Sequence, residues 1–309
     1  MQPEKLFDLS RLKHTKSLFW LAAICVVVAV ALIPLWILDS RELLGVSVWE
    51  KPIKFYISVA IFSFTYSWLS SFLTRGGRWV RFTGLVIAVS LAVEIVIILA
   101  MASIGETSHF NVSTPTAIAI WSIMATFISI VLFSTIFISL MIWFQKQQDF
   151  NLKLALALGS INTAVGMGLA YLMTWPTATQ LANYQGIAGA HAVGVSDGGP
   201  GLPFLGWSTV AGDLRVGHFF GLHSIQVSAI LLAISLMLPL AFRIPLIVVG
   251  NLAWLGFVGI GTWQSLRAEP FASPSALTLT GLAGLLAIAA LSFALLVMVQ
   301  SRSKSKKST

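Results

Sequence analysis

The stretch from Gly212 to Gln226, GDLRVGHFFGLHSIQ, runs from a polar turn straight into an apolar segment without shedding its polar groups. Placed on a helix at about 100° per residue, Arg215, His218, His223 and Gln226 fall within an arc of about 140°. Gly217, Gly221, Ser224 and Ser228 fall on the opposite side. Polar side chains facing lipid are costly, and small residues serve close helix packing, so neither stripe suits acyl chains. This helix is therefore expected inside a bundle.

The surrounding composition sets the medium. Of 309 residues, 57% are hydrophobic and 10% charged, and the mean hydropathy is +0.89, far above ordinary soluble domains. A hydrocarbon core about 30 Å thick needs about 20 apolar residues per helical crossing. Eight runs meet that need, at residues 18–38, 52–73, 82–103, 116–144, 154–175, 215–240, 246–265 and 277–299. The reading is an all-α, polytopic membrane bundle of about eight helices over 1–300, with an extracytoplasmic cap loop at 176–212 and a basic tail at 301–309. The seventh run is the shortest and is weakened by Gly250, Gly256, Gly259 and Gly261.

Basic residues orient the bundle. With the N-terminus cytoplasmic, fourteen of the 19 Lys and Arg fall on the inner side, in the opening arm, at Arg75, Arg78 and Arg81, at Lys146 and Lys153, at Arg243 and in the tail. Arg41, Lys51, Lys54, Arg215 and Arg267 fall outside. This bias fits the positive-inside rule, and an even helix count returns the C-terminus to the cytoplasm. The net charge of +8 is thus mostly a topology signal; the expected partner is the bilayer and not nucleic acid. The one cysteine, Cys25, excludes an intrachain disulfide and cysteine-based metal clusters. The first apolar run lacks a small-residue cleavage pattern and reads as a retained helix.

Several features outside the opening stretch carry chemistry. Pro52 suits a first helical turn, and Lys51 and Lys54 are expected to snorkel outward. The second helix aligns Tyr56, Ser63, Tyr66, Ser67 and Ser70 within an arc of about 100°. Glu94 lies nine residues, about 13 Å, inside the third helix, where an acid usually faces a partner or a wet cavity. The loop at 105–116 holds Glu106, Ser108, His109 and Asn111, and Ser113 or Thr114 with Pro115 begins the fourth helix. The connection from Trp175 to Gly212 is long, glycine-rich and aromatic, as expected of a cap folded over the outer mouth.

Four of the five histidines then gather on one side: His109 and His191 in outer loops, His218 near the mouth, and His223 about 7.5 Å deeper. Neutral imidazoles beside carboxylates are what Zn, Fe, Ni or Cu sites use, so His109, His191, His218 and His223 are candidate metal ligands. Five-residue spacing sends His218 and His223 about 140° apart on an ideal helix, so one tetrahedral metal needs a bulge at Gly217 or Gly221 to take both. Glu94 and Asp213 are candidate catalytic acids or bases, with Asp213 as an N-cap the plainer alternative. Gln226, Arg215, Asn111 and Tyr66 are candidate ligand-binding residues. Bis-histidine haem needs a second ring at the depth of His223, which no other helix offers, and the histidine placement of haem A synthases is absent.

The motifs Trp49-x-Lys51-Pro52-x-Lys54-Phe55, Ser108-His109-Phe110-Asn111 and Gly212-Asp213-x-Arg215-x-x-His218-Phe219-x-Gly221-x-His223-x-x-Gln226 resemble those of a bacterial group of multi-pass membrane proteins to which no activity is assigned. The resemblance spans helices one to six and implies a bacterial cytoplasmic membrane. Three functions remain open. One is a His/acid site at the extracytoplasmic mouth holding a transition metal or haem for redox work. Another is a transporter or channel for a small solute or for protons. The third is a hydrolase or transferase acting on lipid, which lacks a recognisable nucleophile. A sensory or assembly partner whose histidines titrate is the non-catalytic alternative.

Overall fold

The structure, a computed structural model, describes residues 6–146 and 149–305, the backbone alone for 302–305. The chain is mostly helical. Helix α1 (Lys16–Leu38) leads through the hairpin β1 (Glu42–Leu43) and β2 (Val46–Ser47) to α2 (Glu50–Ser70), α3 (Gly77–Ser103), α4 (Pro115–Phe144) and α5 (Phe150–Gly168). The long connection holds α6 (Ala178–Ala182), β3 (Ala192–Val193) and β4 (Gly212–Asp213). Then follow α7 (Arg215–Leu222), α8 (Ser224–Met237), α9 (Leu240–Leu266) and α10 (Ala276–Ser305). The basic tail expected at 301–309 lies largely outside the described residues.

Among the described residues, six helices are long and apolar enough to cross a membrane: α1, α3, α4, the run from Phe150 to Ala182 that begins with α5, α9 and α10. Helices α7 and α8 together make a seventh, bent by 43°. The chain is a multi-pass membrane protein. The second expected run became α2, whose 21 residues span about 31 Å but carry charges in the first turns and a buried row of hydroxyls.

The ends form for local reasons. Thr114 caps α4 by accepting from the Ala117 amide at 3.1 Å, with Pro115 next, as the sequence indicated. Asp149 caps α5 through the Leu152 amide at 3.1 Å. The sixth run, expected as one helix over 215–240, breaks at His223 instead. The Ile225 amide there is taken by the Thr163 hydroxyl on α5 at 3.1 Å, and a side chain inserted into the hydrogen-bond ladder bends a helix. The seventh run, expected to be short, is a 27-residue helix that continues through all four of its glycines.

Close packing falls into two groups, α1 with α2 and α3, and α5 with α7, α8 and α9, with α4 against both α3 and α5. In the second group small residues set the spacing. A Cβ on Gly166 would meet the Gly221 backbone at 2.2 Å, one on Gly217 would meet Thr262 at 2.0 Å, and one on Gly159 would meet Ser228 at 2.6 Å. The small stripe read from the sequence therefore packs on α5 and α9. In lipid there is little hydrophobic drive between helices, so such approach is what holds them.

The long connection is ordered and lies over one end of the bundle. Its backbone bonds the loop after α3, with the Val112 amide on the Gly186 carbonyl at 2.8 Å and the Ala188 amide on the Phe110 carbonyl at 2.9 Å. Farther along, Trp207 is buried edge-on against Phe219, Phe220 and Phe271.

Replacing Gly166 by Val should lower stability by about 1–3 kcal/mol, because the rigid backbone of Gly221 cannot yield. Gly168→Ala, which meets nothing within 4 Å, should leave thermal unfolding in detergent nearly unchanged. Equal behaviour of the two variants would show that the α5–α7 contact does not set the helix spacing.

Candidate functional site

Under the cap, three separate parts of the chain meet. The ammonium of Lys51, in the first turn of α2, lies 3.1 Å from Nδ1 of His109, and the Ser108 hydroxyl lies 3.0 Å from the same nitrogen. With Lys51 as an ammonium, which can only donate, Nδ1 accepts and the ring proton sits on Nε2. Lys51 does not snorkel outward: its ammonium turns to His109 in the loop after α3. Lys54 does not either: it pairs with Glu50 at 2.8 Å and contacts the Leu205 carbonyl of the cap at 3.5 Å.

Phe110 holds the imidazoles apart and in place. Its ring centroid lies 4.9 Å from that of His191 and 5.4 Å from that of Trp121, which in turn lies 5.3 Å from His109. Phe110 takes a left-handed backbone, φ 64°, a strained conformation for this residue type. It is held there by the Ala188 amide on its carbonyl and by the fit against Gly189, whose Cβ would meet the ring at 2.7 Å.

His191 donates Nδ1–H to Asp197 at 2.8 Å, and the same carboxylate accepts the backbone amides of His191 and Ala192. Burial pushes the Asp197 carboxyl up, but those hydrogen bonds and the imidazole outweigh it and hold it at about 2. Burial lowers His191 below its ordinary value despite the pull of Asp197. His109 is held well below its ordinary value by burial first, then by the charges of Lys51 and His191. His218 anchors Nδ1 on the Gly166 carbonyl at 2.8 Å, which fixes its tautomer too. Glu94 is 5% exposed, and its Oε1 is buried with no hydrogen-bond partner. It lies within electrostatic reach of Lys51.

The remaining sequence candidates separate. Asp213 is fully buried, and both of its oxygens are occupied: Oδ1 accepts from the Arg215 amide and Nε, and Oδ2 from the Ser208 amide and Arg215 Nη2. This is an anchor and not a proton-transfer group, and the N-cap position of α7 belongs to Leu214. Arg215 is committed to Asp213 and to the Gly206 carbonyl of the cap. Asn111 turns its Oδ1 back on Ser113. Gln226 reaches across to the Thr65 hydroxyl on α2 at 2.9 Å, with its Oε1 buried and unpartnered. Tyr66 is buried deep in the bundle, away from the mouth. His223 meets Phe219 edge-on, with ring centroids 4.6 Å apart, at the helix break.

The expected metal site is not formed. Among the described residues no group of three or more His, Cys, Asp or Glu side chains could hold a metal ion. The break at His223 does not join that ring to His218, and His109 already faces a lysine ammonium, which repels a cation. Sequence reasoning missed Lys51 as a member of the site.

A scan against family models finds no match, and neither do searches of curated proteins and of solved structures.

The pH dependence of stability follows from these shifts. Because burial keeps His109 and His191 neutral, the folded chain binds fewer protons there than the unfolded chain. Their contribution is fully present above about pH 6.5 and is lost as pH falls below it. Asp197 acts lower, present above about pH 4 and lost toward its folded value of about 2. Thermal unfolding in detergent should decline from about pH 7 to pH 5, and His109→Gln should decline less steeply. A parent curve that is flat over this window would mean that folding does not lower the affinity of the two rings for protons.

Proposed function

We propose that the chain is a bacterial inner-membrane protein that accepts and passes protons at its extracytoplasmic mouth, within a transporter or channel for protons or a small solute. The observation that carries this reading is the contact of Lys51 with His109 Nδ1, with the unpartnered carboxyl of Glu94 within electrostatic reach. Lysine and imidazole share one proton: when Nδ1 takes it from the ammonium and Nε2 releases its own, the pair is left one proton short, as a neutral amine beside Nδ1–H, and a proton taken up at Nε2 as Nδ1–H returns its own to the amine completes the cycle. Glu94 supplies the counter-charge and the next acceptor, since an ionisable group inside a membrane segment is most readily explained by such a role. In this reading α2 and the bent α7–α8 pair complete eight crossings, and the excess of inner basic residues puts both termini in the cytoplasm. The motif resemblance supports the bacterial membrane.

The Ser108 hydroxyl lies 3.0 Å from His109 Nδ1, but it is buried and the same nitrogen faces Lys51, so acyl or glycosyl transfer has less support than proton handling. The grooves on the helix surfaces, such as the one of about 380 Å³ along α1 and α2, are lined by apolar side chains and suit lipid chains.

Infrared spectra of the protein in lipid nanodiscs, recorded across pH, provide the test. A carboxylic-acid carbonyl band should appear and vanish with pH, be missing in Glu94→Gln, and titrate at a different pH in Lys51→Met. A Glu94→Gln spectrum identical to the parent would remove Glu94 from proton handling.

A further inference from the structure

Helix α2 starts beside Lys51 and ends at Ser70, so the turn from α2 into α3 lies at the far end of the bundle from the mouth. From that end a groove of about 350 Å³ runs between α3 and α4, walled by Trp79, Phe82 and Val86 on α3 and by Ile130, Phe133 and Phe137 on α4. Seven residues of either helix give it a length of about 10 Å. That covers most of one leaflet's share of a hydrocarbon core about 30 Å thick. Its volume is within the range of small-ligand sites, about 300–1,000 Å³.

Two features set this groove apart from the wholly apolar one along α1 and α2. The first is charge at its end. Arg78 lies one turn before Phe82 and holds its guanidinium 5.4 Å from the centroid of the Trp79 ring, a wall of the groove. Arg75 is kept nearby, because Gln145 at the end of α4 accepts the Thr74 amide at 3.0 Å and Gly76 packs against Met141. Both arginines are exposed, and among the described residues neither has a carboxylate partner. The second feature is a pair of hydroxyls, Thr83 and Ser134, that line the groove. Among the described residues neither makes a hydrogen bond. On the same α4, Thr126, Ser129, Thr135 and Ser139 each donate to the carbonyl four residues back. An acyl chain alone would leave both hydroxyls without a partner, whereas an ester carbonyl accepts from them.

We infer that this groove is a binding site for one acidic phospholipid, with the phosphate at Arg75 and Arg78, an ester carbonyl accepting from Thr83 or Ser134, and an acyl chain along the aromatic wall. Guanidinium matches phosphate oxygens in pairs, and basic pockets between membrane helices suit acidic headgroups. Thr83 lies five residues, about 7.5 Å, deeper than Arg78, on the side where the glycerol esters follow the phosphate. Trp79 sits between the two levels, at the interfacial depth tryptophan favours. A choline headgroup carries a cation of its own, which the two arginines repel, so the site selects for net negative charge. The lipid would tie α3 to α4, the helix that joins the two packed groups. This inference is independent of the proton-handling reading of the mouth.

Native mass spectrometry of the full chain in mild detergent, mixed with equal amounts of phosphatidylglycerol and phosphatidylcholine, provides the test. One phosphatidylglycerol should be retained in preference. Arg78→Gln should weaken its retention about fivefold, the effect of one arginine near an acidic headgroup. Ser134→Phe, which fills the groove and removes no charge, should abolish it. Lys16→Gln, which removes an exposed charge at the same end of the bundle on α1, should leave it unchanged. Phosphatidylglycerol should also raise the melting temperature of the parent and not of Ser134→Phe. Equal retention of the two lipids overturns the site, and so does an equal loss in Lys16→Gln and Arg78→Gln, which would mean surface charge only. Full retention by a Ser134→Phe protein that melts with the parent excludes the groove. Should that variant not fold, full retention after joint Arg75→Gln and Arg78→Gln substitution on the exposed rim overturns the proposal just as well.

Discussion

A carboxylate with no access to water survives only if every lone pair is taken, and Asp213 is that group here. Its two oxygens gather Arg215 and the Ser208 amide, its carbonyl accepts the Ser265 hydroxyl of α9 at 2.7 Å, and its strand pairs with the segment that follows His191. Gly212 beside it has no room for a side chain, since a Cβ would meet the Ser265 carbonyl at 1.9 Å. One buried charge therefore ties the cap, the start of α7 and the end of α9 into one assembly. The cap then fixes the rest of the mouth. Gly206 receives Arg215, Leu205 receives Lys54, and the backbone near Ala188 holds Phe110 between its two histidine neighbours.

The two groups of helices meet under different rules. Within each group, glycines and small side chains bring backbones together, as at Gly166 on Gly221 and at Gly84 on Thr15. Between the groups, longer polar side chains span a wider gap, as in the bridge from Gln226 to Thr65. Lipid supplies little net force for pulling helices together, so glycine contact gives rigidity where it occurs and polar side chains take over where it does not.

The sequence made the helices legible because a membrane demands long apolar runs, and α1, α3, α4 and α10 announce themselves by that alone. The small stripe on α7 and α8 was legible as well, since spacing on a helix fixes which residues share a face. The break at His223 was not, because it depends on the Thr163 hydroxyl, 62 positions earlier, capturing the Ile225 amide. Lys51 was misjudged for a related reason. Nothing in the local pattern shows that His109, 58 positions later, receives it, just as nothing shows that the Leu205 carbonyl receives Lys54. Asp213 looked like a catalytic acid because a buried charge near a mouth is equally suited to anchoring and to chemistry, and only its partners decide.

The same partners decide what the imidazoles can do. His191 and His218 are each fixed by donation from Nδ1, to a carboxylate and to a carbonyl, the arrangement that also orients metal ligands, with Nε2 left to bind. His109 departs from it, because its Nδ1 faces an ammonium and its proton is displaced to Nε2. A ring poised that way presents a donor where a metal would require a lone pair, and it borders a positive charge that a second cation would have to approach. Two of the three rings are thus built as fixed acceptors and the third as a donor. That alternation suits a proton handed from group to group better than an ion held in one place.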